Sequence, residues 1–281
     1  MKYNTYSLTY QINGRSITQD VASQSFLRGQ DEVTFSNSLF KNDEMLETGL
    51  IIRPFPSDWY KKIERAISEY VVSLLQENNV DAANFALEKY HKYVDNKIHC
   101  NVISSFRAGM LGIGGVHLDK LGIPYETLNE YVNTEINATS TLSCVYKRLI
   151  VPIKHFWIRI VRPGVAENNP PHKDTHVGRI QKCVNIYLPL AGSNDNSSLP
   201  LIPGTHLEKE SEYIISSSPS YINNRKYTVP AIVHRNKGLK MITPNPKQNE
   251  IMIFTPHLIH GGGANNNEDT TRVSLEMRFF K

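Results

Sequence analysis

Arg272-Val273-Ser274-Leu275-Glu276-Met277-Arg278-Phe279-Phe280 closes this 281-residue chain but for one lysine. Val273, Leu275, Met277 and Phe279 recur at every second position, with Arg272, Ser274, Glu276 and Arg278 between them. A period of two sends alternate side chains to opposite faces of a strand, so one face is apolar and the other charged. The apolar face needs a packing partner. The charged face, carrying Arg-x-Ser at its start, needs a reason to exist.

The same period runs through the preceding hundred residues. Phe156, Ile158 and Ile160 alternate with Trp157 and Arg159; Val184, Ile186 and Leu188 alternate with Asn185 and Tyr187; Ile251 to Phe254 is a short apolar strand. Turn-rich stretches at Pro163-Gly164, Ala191 to Ser198, Pro203-Gly204 and Gly261 to Asn267 separate them. Several antiparallel strands joined by Gly- and Asn-rich loops predict a sandwich or jelly roll.

The first half reads differently. Tyr6 to Ile12 is β-like, and Gly49 to Ile52 reads as a strand ending at Arg53-Pro54. Ser57 is placed as the N-cap of a helix carrying Trp59, Ile63, Ile67, Val71 and Leu74 at three- and four-residue spacing. A second helix is expected from Asp81, with Ala83, Leu87, Tyr90 and Val94 on one stripe, and a third from Pro124. The expectation is an α+β, mainly β chain with N-terminal helices packed on one sheet. It is one domain over 1–281, with 1–150 as helix-rich support and 150–281 as the core.

Composition excludes several classes. The charge of +4 is too small to argue for nucleic acid. No apolar run is long enough to span a membrane, and the N-terminus lacks a secretory h-region. Cys100, Cys144 and Cys183 are odd in number and widely spaced, so no disulfide framework is indicated and a cytoplasmic setting is expected.

Three features of the β half carry chemistry. His172-Lys173-Asp174 follows a strand and a Pro-rich turn, His260 follows the strand 251–254, and Arg272-x-Ser274 opens the final strand. Two imidazoles and a carboxylate can occupy one face of a ferrous octahedron and leave the rest open. Strand alternation would send His172 and Asp174 to one side. Arg272 and Ser274, also two apart, suit a carboxylate: a bidentate ion pair plus a hydroxyl hydrogen bond. With ten His in the chain, chance alone supplies on the order of 0.4 His-x-Asp tripeptides, and His117-Leu118-Asp119 is a second; it is rejected because no strand precedes it. His257 is the rival of His260, and Arg278 that of Arg272.

The combination resembles the iron(II)/2-oxoglutarate dioxygenases, within them the phytanoyl-CoA dioxygenase-like superfamily. Val184 to Leu190 followed by Leu201-Ile202-Pro203-Gly204-Thr205-His206 looks like that family's strand and turn, and Arg272 lies twelve residues after His260. The resemblance covers about 150–281. It implies a double-stranded β-helix (a cupin-like jelly roll), one Fe(II), 2-oxoglutarate and O2 as co-reactants, and oxidation of a C–H bond with release of succinate and carbon dioxide. It implies His172, Asp174 and His260 as metal ligands and as the catalytic centre. Arg272 and Ser274 become the 2-oxoglutarate anchor, and Asn185 and Tyr187 further candidates from their strand face. Gly262 departs from members with a hydroxyl two residues after the second histidine. Asp174 is present where related halogenases carry a small residue, which favours hydroxylation.

No Asp or Glu occurs between Glu212 and Glu250, where Arg225, Lys226, Arg235, Lys237, Lys240 and Lys247 fall. At the mouth of a site this segment would attract an anionic substrate; on the far rim it is a solvated insertion. Arg162, Lys173, Arg179 and Lys182 add to the charge near His-x-Asp. His206 is read as a turn residue, His155 and Trp157 as filling or pocket wall. The loops 191–199 and 213–240 are read as lids. The substrate expected is a small hydrophilic molecule, such as a sugar or amino-acid derivative. Two other readings stay open: a cupin-like small-molecule binding module without turnover, and a metal-dependent enzyme that uses no 2-oxoglutarate.

Overall fold

A computed structural model describes residues 2–31, 39–110, 122–148, 151–154, 156–165, 169–176 and 180–281. His117, Asp119, His155 and Arg179 lie outside them. The described chain is mostly β, with helices along one side.

The largest sheet has the order Leu50–Pro54, Glu250–Phe254, Cys183–Ala191, Arg272–Phe280, Phe156–Val161, antiparallel throughout. Its outer face is the apolar set expected from alternation. Val273, Leu275, Met277 and Phe279 join Val184, Ile186, Leu188, Phe156, Ile158, Ile251 and Ile253 in one core with the helices. Those helices are Ser57–Glu77, Asn96–Met110 and Tyr125–Glu135. Ile63, Ile67 and Val71 of the long helix are at most 1% exposed; each such side chain contributes about 2 kcal/mol by leaving water. Tyr60 pins this helix to the sheet by donating to the Leu190 carbonyl at 2.9 Å. Cys183–Ala191 is buried on both faces, because helices cover one side and the candidate site the other.

Two helix boundaries differ from expectation. Pro56, with no side-chain hydrogen bond, occupies the cap position, and Ser57 is the first helical residue. The helix expected from Asp81 is broken. Asp81 Oδ1 accepts from the Ala83 amide at 3.0 Å and Asn84 adopts φ 56°, a local bond that competes with helix formation. A 3-10 turn, Leu87–Lys92, follows, then the helix from Asn96. Leu87 and Tyr90 are still buried.

The first thirty residues are not helical support. Asn4–Ile12 and Arg15–Ser23 form a hairpin through Asn13-Gly14, both at positive φ, the dipeptide suited to a tight two-residue turn. The hairpin joins Ser220–Ile222, Arg225–Tyr227 and Lys240–Met241 in a second five-stranded sheet. A three-stranded sheet links Phe26–Arg28, Tyr213–Ser216 and Ile232–Arg235. Residues 213–240, expected to be a lid, are therefore largely built into sheets. The three cysteines are all free, and no helix among the described residues is long and apolar enough to cross a membrane.

Candidate metal centre

The inner face of the large sheet carries Asn185 and Tyr187 on one strand, Arg272, Ser274, Glu276 and Arg278 on the next, and Trp157 and Arg159 on the third. Against it stand the two histidines. Ile259–His260 pairs with Leu201–Ile202, and His172 and His260 exchange backbone hydrogen bonds of 2.9 and 3.0 Å as an isolated bridge. That bridge sets the imidazole centroids 4.3 Å apart.

Asp174 reaches the pair by a route other than the one expected. It opens the 3-10 turn Asp174–His176, so the turn, not strand alternation, brings it beside His172. Its Oδ1 lies 3.6 Å from His172 Nε2 and its Oδ2 3.8 Å from His260 Nε2. Candidate ligand atoms of the three residues all fall within 4.8 Å of one another, and all three are at least nine-tenths buried.

Each histidine is set by a backbone carbonyl. His172 Nδ1 lies 2.7 Å from the Pro170 oxygen and His260 Nδ1 3.0 Å from the Leu258 oxygen. A carbonyl only accepts, so Nδ1 carries a proton and Nε2 is the nitrogen left facing the centre. Burial, and then the neighbouring His172, push His260 down to about 4. Burial works against ionisation of Asp174, but the Arg278 guanidinium outweighs it, with His172 and His260, and holds the carboxyl well below the usual range. Arg278 Nη2 and Asn185 Nδ2 donate to the same oxygen, Oδ2, at 2.9 and 2.8 Å.

The remaining expectations separate. His257 is buried but outside the cluster, and burial followed by the Lys173 charge lowers it to about 4. His206 sits in its turn near the Leu46 carbonyl, 3.0 Å from Nε2. Tyr187 is fully buried, its hydroxyl 2.9 Å from Ser193 Oγ and its ring 5.9 Å from the Arg272 guanidinium. Arg272 is 0% exposed, and beside it the buried Ser274 Oγ has no hydrogen-bond partner. Glu276 pairs with Arg159 at 3.1 Å. The three candidate ligands open on a small cleft whose wall includes Trp157, Arg159, Asn169, Leu199, Glu276 and Arg278.

None of the six basic residues between 212 and 250 lines this cleft. Arg235 is paired with Glu208 at 2.6 Å, and Arg225 and Lys226 lie on the exposed edge of the second sheet. Lys173 is a buried ion-pair partner of Glu210 at 2.8 Å, over the Tyr213 ring; His176 bonds the other Glu210 oxygen at 2.8 Å. Gly262 stands where a side chain would be strained and crowded. Its φ is +73°, and a Cβ would stand 3.0 Å from the Pro171 ring.

Sequence reasoning missed the Asn185 and Arg278 bonds to Asp174. The available signal was their shared strand face, but pairing between strands is not written in either strand alone.

No family profile matches the chain, and no curated protein matches it. Among solved structures it is similar to ThoJ, a non-heme monooxygenase in apo form, at 12% identity over 85% of this chain and 76% of that one, TM-score 0.47. It is similar to EctD from S. alaskensis with 2-oxoglutarate and 5-hydroxyectoine, at 13% identity over 91% and 83%, TM-score 0.42. It is also similar to the epimerase SnoN in complex with Fe3+, alpha ketoglutarate and nogalamycin RO, at 12% identity over 85% and 81%, TM-score 0.45.

Proposed function

We propose that this chain is an Fe(II)/2-oxoglutarate-dependent oxygenase that hydroxylates a small hydrophilic molecule, built as one domain on a double-stranded β-helix. The observation that carries the reading is the buried cluster of His172, Asp174 and His260, with both Nε2 atoms directed inward by carbonyl bonds at Nδ1. Two neutral imidazole nitrogens and one carboxylate suit a ferrous ion and leave positions for other ligands. The orphaned Ser274 Oγ beside the buried Arg272 guanidinium fits the distal carboxylate of 2-oxoglutarate. Bound iron and its cosubstrate would supply the oxidising chemistry, with succinate and carbon dioxide released.

In this reading His172, Asp174 and His260 hold the metal. Arg272 and Ser274 hold the cosubstrate, and Asn185 orients Asp174. Tyr187 walls the interior. Trp157, Asn169 and Leu199 frame the cleft in which substrate is positioned and water excluded. A metal enzyme that uses no 2-oxoglutarate is the second reading, favoured by one observation: Arg272 is not among the residues lining the cleft.

The test is anaerobic titration of the full chain with Fe(II), then 2-oxoglutarate, followed by assay of succinate. One iron per chain, a new visible charge-transfer band on adding 2-oxoglutarate, and succinate formation are expected. Iron uptake without that band selects the second reading. Uptake by Asp174→Ala equal to that of the unmodified chain removes the metal assignment.

A further inference from the structure

We propose that Arg278 and Asn185 act as a lock that makes Asp174 a one-oxygen ligand, keeping three metal positions open; this rests on the metal reading above. Both donors converge on one atom. Arg278 Nη2 is 2.9 Å and Asn185 Nδ2 2.8 Å from Asp174 Oδ2, and two hydrogen bonds use the lone pairs that oxygen offers. Oδ1, 3.6 Å from His172 Nε2, is left to a cation. Chelation through both oxygens would consume a further coordination position.

The convergence is built into the sheet. Arg278 and Asn185 are directly opposed on neighbouring strands, so both side chains leave the inner face at one level. Arg278 is held there by more than its ion pair. Its guanidinium lies 4.1 Å from the centroid of the Trp157 ring, a contact in which an arginine is held by the ring face. Glu276, two residues away on the same face, makes its ion pair with Arg159, at 3.1 Å. Arg278 therefore serves Asp174, and Trp157 sets its angle. These are positioning residues: they act on the metal through Asp174.

The lock is tested with Co(II) as probe in the full chain, by visible spectrum and by affinity of the Co(II)-loaded protein for 2-oxoglutarate. In Arg278→Met the freed Oδ2 can join the metal. Co(II) affinity is expected to hold or rise, the spectrum to change before 2-oxoglutarate is added, and 2-oxoglutarate affinity to fall by roughly tenfold or more. Asn185→Ala moves both readouts in the same direction by less. Arg278→Lys, which keeps one charged donor, restores most of the 2-oxoglutarate affinity. The proposal is overturned if Arg278→Met and Asn185→Ala keep the unmodified spectrum and 2-oxoglutarate affinity. It is also overturned if both lose Co(II) together with melting temperature, the mark of a merely structural role. Failure of the unmodified chain to bind Co(II) would instead remove the metal reading itself.

Discussion

Ser274 Oγ is fully buried on the same strand face as the Arg272 guanidinium and makes no hydrogen bond. A buried hydroxyl without a partner costs stability, a cost that a carboxylate bound in the proposed reading would offset. The expected consequence separates stability from binding. Ser274→Ala should leave the melting temperature of the ligand-free protein unchanged or slightly higher. It should raise the KM for 2-oxoglutarate roughly fivefold, the equivalent of about 1 kcal/mol. A clear fall in melting temperature with unchanged KM would make Ser274 a packing residue.

Lys173, between two candidate metal ligands, is anchored away from them by Glu210 and Tyr213. Without Lys173 the buried Glu210 keeps only His176, at 2.8 Å, and a buried charge stripped of an ion-pair partner is strongly destabilising. Lys173→Met should therefore destabilise the protein by on the order of 3 kcal/mol in urea unfolding. Adding Glu210→Gln should recover most of that loss. If the double variant is as unstable as the single one, the pair is not what matters at this position.

Glu208 gives a pH dependence. Burial opposes its ionisation, but hydrogen bonds from Arg235 and Tyr213 outweigh it and pull the carboxyl down to about 2. A lowered folded-state value means stabilisation present above the ordinary carboxylate range and lost as pH falls towards 2. Glu208→Gln should be less stable than the unmodified chain at pH 6, with the gap closing near pH 2. Urea midpoints at the two pH values check this, and a gap independent of pH would exclude the ion pair as its cause.

Arg225 and Lys226 lie on an exposed hairpin that does not line the cleft. Replacing both by Ala should leave the KM for the substrate, and its salt dependence, unchanged. A rise in KM that vanishes at high ionic strength would return the basic segment to the site mouth.

Much of this is legible in the sequence. Alternation in Arg272 to Phe280 assigned both faces of the central strand correctly, because a buried apolar face must repeat at the strand period. His172, Asp174 and His260 were identifiable from residue type and spacing, and they do converge. The break at Asp81 to Asn84 was not read, because one side-chain bond to the backbone outweighed an apolar stripe that stays buried regardless. The fate of Lys173 and Arg235 was also hidden. A basic residue looks available until the fold supplies its carboxylate, here Glu210 and Glu208 from distant positions.

The sequence by itself determined which strands have an apolar back, which residue types could hold a metal, and that an Arg-x-Ser pair shares their strand region. Those properties are local, set by side-chain chemistry and by periods of two and 3.6. Only the tertiary structure decided that a turn and a two-residue bridge bring Asp174 to the histidines. It alone also decided that Arg278 and Asn185 meet on one oxygen, and that most of the basic charge lies elsewhere. Those facts depend on strand register and on pairing between segments far apart in the chain, and neither is encoded in any one segment.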